Sequence, residues 1–277
     1  MIMQSKSDFL KAINNKINHG EAIIVTGVGS GLTAKGACLG GADILATYNT
    51  AVYRIYGVPT AMAFLPYDDC NKIAFDTLPQ VLANSGDVPV IIGLGAHDPR
   101  RNIKQMVLQA KEMGAAGITN EPFIGMYEGD LRKQLEAANI GFNREIEMIK
   151  TASEEGMLTL AYVYNENEAI EMAFAGADML GVMVGGVTSG GTAGGVETVG
   201  IDSAIEITNR IGEALKVAGK TIPLLIHGGP LNDVEPVRKV INKSYAVGYV
   251  TGSTGERVPT VNAVKDKIAD FSSIRKE

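Results

Sequence analysis

Eight short runs of apolar, mostly β-branched residues recur along the 277 residues of this chain, at 22–27, 43–48, 88–94, 116–119, 158–163, 178–184, 222–226 and 246–251. They are apolar nearly throughout rather than alternating, which is how parallel strands read when both faces of the sheet are covered. Each is followed by a segment long enough for a crossover helix, such as 98–113, 143–155, 165–175 and 202–218. Eight strand-then-helix units in a chain of this length predict an α/β fold, a (β/α)8 TIM barrel. A doubly wound sheet is the alternative, but it uses fewer strands and a topological switch point. Ahead of the first strand, Ser5 can cap a helix that carries Asp8 in its first turn. Phe9, Leu10, Ile13 and Ile17 share one face of it and Gly20 closes it. The expected organisation is one barrel domain, with this helix (1–20) across the bottom of a barrel spanning 21–277.

Glycine makes up 33 of the 277 residues, about 12% against a usual level of about 7%. Gly20, Gly40 with Gly41, Gly86, Gly114, Gly156, Gly176 and Gly219 each fall just before a strand, where a left-handed residue ends the preceding helix. Before the eighth strand Asn242 is expected to take that conformation. A second set falls just after strands: Gly27, Gly29 and Gly31, Gly93 and Gly95, Gly125 and Gly129, the stretch 185–195, Gly228 and Gly229, Gly252 and Gly255. That is the face of a barrel where ligands bind, and glycine there lets backbone N–H groups approach an anion. A weak internal repeat is also visible: Gly-Gly-Ala-Asp43 precedes the second strand and Ala-Gly-Ala-Asp178 the sixth. Two similar half-barrels, or βα units that merely have similar lengths, account for it equally well.

The net charge of −6 argues against a nucleic-acid partner, which calls for clustered Lys and Arg. No apolar run approaches the ~20 residues that span a bilayer, and Lys6, Asp8 and Lys11 interrupt any signal-like segment. Two cysteines, Cys38 and Cys70, are too few for a disulfide framework, so a reducing, cytoplasmic setting is expected with no membrane partner. The loop Gly27-Val-Gly-Ser-Gly-Leu-Thr-Ala-Lys35 resembles a dinucleotide fingerprint, but the second strand ends Ala46-Thr47-Tyr48-Asn49 with no acid. NAD is therefore not expected. No lysine ends a strand, so neither a Schiff-base aldolase nor pyridoxal phosphate is expected.

Two of the three histidines end strands: His97 the third, beside Asp98, and His227 the seventh. Glu121 follows the fourth strand. Glu121, His97, Asp98 and His227 are the candidate catalytic groups, since carboxylates and imidazoles across a barrel mouth can supply acid–base work. For an anion the candidates are Gly29, Ser30 and Gly31 after strand one, Asn49, Arg54, Arg100, Thr188, and the loops after strands seven and eight with Gly228, Gly229, Ser253, Thr254 and Arg257. Two alternatives stand beside these: the first loop as a tight turn without ligand, and Arg257 paired with Glu256. The stretch 185–195, with Thr188, Ser189 and Thr192, reads as a loop that closes on a ligand or as a linker. No ligand spacing marks a metal site; Mg²⁺ is compatible because charged, oxygen-rich substrates commonly need it.

These residues carry a resemblance. Gly40-Gly-Ala-Asp43 with Tyr48-Asn49, Arg54 and Leu65-Pro-Tyr-Asp-Asp-Cys-Asn71 is similar to a pattern in phosphoenolpyruvate hydrolase-like barrels, a domain that also forms the C-terminal part of plant tobamovirus-resistance proteins. Asp98-Pro-Arg100, Gly141-Phe-Asn-Arg-Glu145, Ala175-Gly-Ala-Asp178, Thr188-Ser-Gly-Gly-Thr192, His227-Gly-Gly-Pro230 and Glu256-Arg-Val-Pro259 extend it in order over most of the chain. The chain departs from the family at Leu94-Gly-Ala-His97, Thr119-Asn-Glu-Pro122, Met183-Val-Gly185 and Thr260, and lacks the Lys-Cys-Arg nucleophile loop of the phosphoenolpyruvate mutases. The resemblance implies a hydrolase or lyase of the phosphoenolpyruvate/pyruvate type, homo-oligomeric, acting on a small phosphorylated or carboxylated metabolite. A carbon–carbon lyase on a 2-keto acid and a non-catalytic sensor or scaffold are the other readings.

Overall fold

Strand pairing runs β1-β2-β3-β4-β5-β6-β7-β8 and closes on itself, every neighbour parallel. The structure, a computed structural model, describes residues 5–185 and 199–276. The strands are β1 (Ile23–Gly27), β2 (Ile44–Thr47), β3 (Val90–Gly93), β4 (Gly117–Thr119), β5 (Leu158–Val163), β6 (Met179–Met183), β7 (Leu224–His227) and β8 (Ala246–Thr251). This is the expected (β/α)8 barrel. No helix among the described residues is long and apolar enough to cross a membrane.

The uniformly apolar strands have a simple cause: one face fills the barrel and the other meets helices. Ile44 and Ala46 of β2 join Ile23, Val25, Ile91 and Leu160 inside the barrel, while Leu45 between them packs outward with Val90 and Ile92. The outward residues of the second half, such as Ala161, Leu180 and Ile226, form a matching outer layer. Glycines 20, 41, 86, 114, 156, 176 and 219 all have positive φ at the turns into the first seven strands. The eighth turn corrects the expectation for Asn242. The helix there, α10 (Val234–Lys243), is followed by Ser244 at φ −137°, whose hydroxyl accepts the Ala246 N–H and makes a left-handed residue unnecessary.

The bottom is closed by α1 (Lys6–Asn18), capped by Ser5 accepting from the Asp8 amide. Its Phe9, Leu10, Ile13 and Ile17 pack on the barrel interior. Two lysines tie it down, Lys16 to Asp43 at 2.7 Å and Lys6 to Asp178 at 2.8 Å. Those aspartates are the two ends of the sequence repeat, and they do the same thing. Asp43 accepts the Ile24 amide at 2.9 Å and Asp178 the Thr159 amide at 2.8 Å, each stitching the start of its strand to the preceding one.

At the other end, α2 (Gly31–Leu39) follows β1, and α3 (Asn49–Ile55) starts directly after β2. Thr60–Phe64 then forms a 3-10 turn before α4 (Cys70–Leu82). After β3 comes α5 (Ile103–Glu112), and α6 (Gly129–Ala137) and α7 (Phe142–Glu154) follow β4. The remaining helices are α8 (Glu166–Ala175), α9 (Ile201–Val217) and, after β8, α11 (Arg257–Ser272). Beyond Arg257 every described residue of α11 is exposed.

Candidate active site

Because α3 begins where β2 ends, Arg54 rises over the barrel mouth with its side chain fully enclosed. Its Nε donates to Glu256 Oε2 at 2.9 Å, both side chains being nearly inaccessible (3% and 0%). Its guanidinium lies 5.6 Å from the Tyr48 ring centre. Glycine is required beneath it: a Cβ on Gly27 would sit 2.1 Å from the Tyr48 hydroxyl and 2.8 Å from Arg54 Nη2. Arg54 Nη2 itself has no partner although it is buried. Such an unmet charged donor is costly unless something else accepts from it.

Several other buried groups at this end are also unmet: Glu121 Oε2, the Tyr162 hydroxyl and the hydroxyls of Thr47, Thr119 and Thr251. They sit at or beside the ends of β2, β4, β5 and β8. A pocket of about 40 Å³ lies there, lined among others by Thr50, Arg54, Glu121, Met183, His227 and Ser253. At 10–15 Å³ per water it has room for about three waters, the size of a carboxylate or similar small group. Burial pushes the Glu121 carboxyl up to about 7, with Thr50 and Arg54 drawing it back down. Burial likewise holds His227 down to about 4, against the opposing pull of its bond to the Val250 carbonyl. That bond, 2.7 Å from Nδ1 to a carbonyl that can only accept, assigns the proton to Nδ1 and leaves Nε2 as a free acceptor.

The first loop is already occupied by the chain itself. Gly29 N donates to Glu256 Oε1 at 2.6 Å and the Thr33 hydroxyl to the same oxygen at 2.7 Å. Ser30 caps α2 by accepting from Thr33 N, and Gly31 N donates to Gln80 at 3.2 Å. So the loop does hold an anion, through Gly29 and Thr33, but it is the Glu256 carboxylate rather than a ligand, while Ser30 and Gly31 are taken by Thr33 and Gln80. Asn49 is likewise structural, donating to the Ala63 carbonyl at 2.9 Å, as is Thr254, donating to the Leu231 carbonyl at 3.4 Å. Gly229 (φ 57°) packs on the Val184 backbone, while Gly228 lines the pocket. Arg257 does not pair with Glu256: it donates to Ser253 at 2.8 Å and to the Val58 carbonyl at 3.3 Å, with Thr60 at 3.5 Å, and no carboxylate pairs with it among the described residues. Thr188 and the rest of 186–198 lie outside the described residues.

The four candidate catalytic groups divide. Glu121 and His227 share the small pocket; His97 and Asp98 line a separate cavity of about 790 Å³ over the loops after β2, β3 and β4. Asp98 is committed, its oxygens bonded to Arg100 at 2.8 and 2.9 Å and approached by Arg101 at 3.4 Å, which holds its carboxyl below the usual range. The same contacts occupy Arg100. Sequence reasoning missed Tyr48, Thr50, Tyr162 and the role of Glu256. A run of polar residues at strand ends could have flagged the first three; the Glu256–Arg54 pairing joins residues 202 apart in sequence and leaves no local signal.

A closed parallel barrel with unmet polar groups gathered at its C-terminal mouth defines the class. The chain belongs to the phosphoenolpyruvate hydrolase-like family, which it matches over residues 8–274. It is 31% identical over 276 residues to the ToMV susceptible protein tm-1(GCR26) of Solanum lycopersicum, a match that takes in 99% of this chain but 36% of that protein. Among solved structures it resembles phosphoenolpyruvate phosphomutase from Streptomyces platensis subsp. rosaceus (TM-score 0.64, 14% identity, 95% of this chain and 86% of that one). It also resembles phosphonopyruvate hydrolase solved with oxalate and Mg²⁺ (TM-score 0.60, 16% identity, 96% and 89%).

Proposed function

We propose that the chain is a hydrolase or lyase whose substrate presents a small anionic group, carboxylate or phosphate, to the pocket at Arg54. The observation that carries this is a charge imbalance: Arg54 keeps one unmet donor after pairing with Glu256, and Arg257 stands behind Ser253 with no acid. A bound anion would satisfy both terms. Glu121, poised near neutrality, would take a proton from water or from the substrate, and His227 Nε2 would accept or orient a second hydrogen bond. Excluding water from so small a pocket strengthens each of these contacts.

Mg²⁺, present in the phosphonopyruvate hydrolase structure, comes to this chain as part of the proposal. Glu121 offers one unmet oxygen, and no group of three His, Cys, Asp or Glu side chains converges among the described residues. With the ion bound, Glu121 would be its one side-chain ligand, substrate oxygens and water would complete the shell, and polarisation of the substrate would take the place of proton transfer to Glu121. Self-association also belongs here. Val261, Val264, Ile268 and Phe271 form an exposed stripe on α11, and Leu32 and Leu39 an exposed face on α2, which points to a second copy as the cover. A cytoplasmic setting fits the two free thiols.

Phosphate and pyruvate release from a panel of phosphorylated and carboxylated metabolites, with and without Mg²⁺, tests the activity. Phosphate release supports hydrolysis, and pyruvate without phosphate supports the lyase branch. Ligand-dependent melting shifts with no turnover of any member overturn the enzymatic reading in favour of a sensor.

A further inference from the structure

The small pocket and the 790 Å³ cavity are neighbours. Phe64 lines both, and the consecutive residues Glu121 and Pro122 line one each. The Phe64 and Phe123 rings, 5.3 Å apart, both line the small pocket. The head pocket is too small for anything beyond the reacting group, whereas the cavity has the volume that encloses an organic molecule of drug size.

Two of the three aspartates around the cavity are paired with arginines, and the third is hydrogen-bonded by a tyrosine. Asp98 pairs with Arg100 and Arg101, Asp69 with Arg101 at 2.5 Å, and Asp68 accepts from Tyr53. Cys70 and His97 meet at its floor: a Cβ on Gly95 would lie 2.6 Å from Cys70 Sγ and 3.1 Å from His97 Cε1. Burial keeps both neutral, pushing the thiol up to about 11 and the imidazole below its ordinary value. The remaining wall is apolar, and three of its residues, Leu65, Tyr67 and Leu131, are 47%, 71% and 51% exposed. One polar atom is unaccounted for, since His97 Nδ1 is buried with no partner.

We propose that the substrate is a carboxylate bearing an apolar tail, its head on Arg54 and its tail in this cavity, where His97 Nδ1 meets one hydrogen-bonding group. The proposal rests on the anion-head reading above and names the chemistry of the rest of the molecule. It also gives His97 a place: a specificity residue set apart from the reacting atoms.

Calorimetric titration separates the two claims. Oxalate and pyruvate probe the head alone; straight-chain 2-oxo acids of increasing length and phenylpyruvate probe the tail. Affinity should rise about three- to fourfold per added methylene, the gain expected for burying each CH₂. Arg54→Gln should abolish binding of every member. Leu135→Trp, which fills the cavity, should erase the length dependence and leave pyruvate binding unchanged. Leu131→Trp, at the half-exposed rim, is the companion variant that leaves the core untouched. Pyruvate binding with flat affinity along the series overturns the tail, as does a length dependence that survives both tryptophans. Failure of oxalate and pyruvate as well as the longer acids overturns the head reading, and the tail proposal with it.

Discussion

The Glu256 carboxylate accepts from an arginine, a backbone amide and a hydroxyl, and through them it fixes the guanidinium that the site needs. Replacing one member of a buried ion pair leaves the other charged and unmatched, which costs about 3 to 5 kcal/mol. Glu256→Gln should therefore lose stability of that order in urea unfolding, and anion binding should weaken because Arg54 is no longer aimed. Glu121 and His227 shape the pH response in opposite directions. Glu121 holds its proton more tightly folded (about 7) than its ordinary 4.5, so its contribution to stability falls as pH rises between those values. His227 holds its proton less tightly folded (about 4) than its ordinary 6.5, so its contribution is lost as pH falls through that window. Comparing wild type with Glu121→Gln by thermal melting from pH 4.5 to 7.5 should show the variant losing the downward component. Identical pH profiles for the two proteins would rule out a raised carboxyl at this position.

Among elements, the paired aspartates at the base of β2 and β6 offer a clean test of the internal repeat. Asp43 and Asp178 make equivalent bonds at distant places, so Asp43→Asn and Asp178→Asn should each cost about 1 to 3 kcal/mol, and the double variant should show the sum within a few tenths. Non-additivity would mean that α1, which both lysines anchor, couples them. The elements themselves were legible from sequence because burial on both faces leaves strands uninterrupted by polar residues, and because seven of the turns use glycine where φ is positive. What remained hidden has a physical pattern. The Gly29–Gly31 loop displayed the amides of an anion site, and nothing nearby in sequence showed that the anion arrives on Glu256, 227 residues on. His97 and Asp98 sit at a strand end as catalytic groups do, yet Arg100, two residues further on, had already neutralised the acid. Strand-end position was readable; the direction and partners of each side chain were not.

For the whole molecule, the proposed self-association would run through α11. Light scattering should find an oligomer, and Ile268→Asp, about three turns beyond Arg257 on the exposed stripe of α11, should reduce it to monomer while oxalate binding at the mouth is unaffected. A wild-type monomer at micromolar concentration would remove self-association from the proposal. The closure of the barrel carries one more consequence, for the birth of the chain. β1 bonds to β2 on one side and to β8 on the other, and β8 is the last of the eight strands to leave the ribosome. Throughout synthesis one edge of β1 therefore waits unpaired, and the amides of Gly29 wait for a carboxylate still unmade. Long-range parallel pairing of this kind forms slowly and leaves sticky edges in the interim. A nascent barrel halted before residue 246 should need a chaperone, and release of the eighth strand should be the event that ends that need.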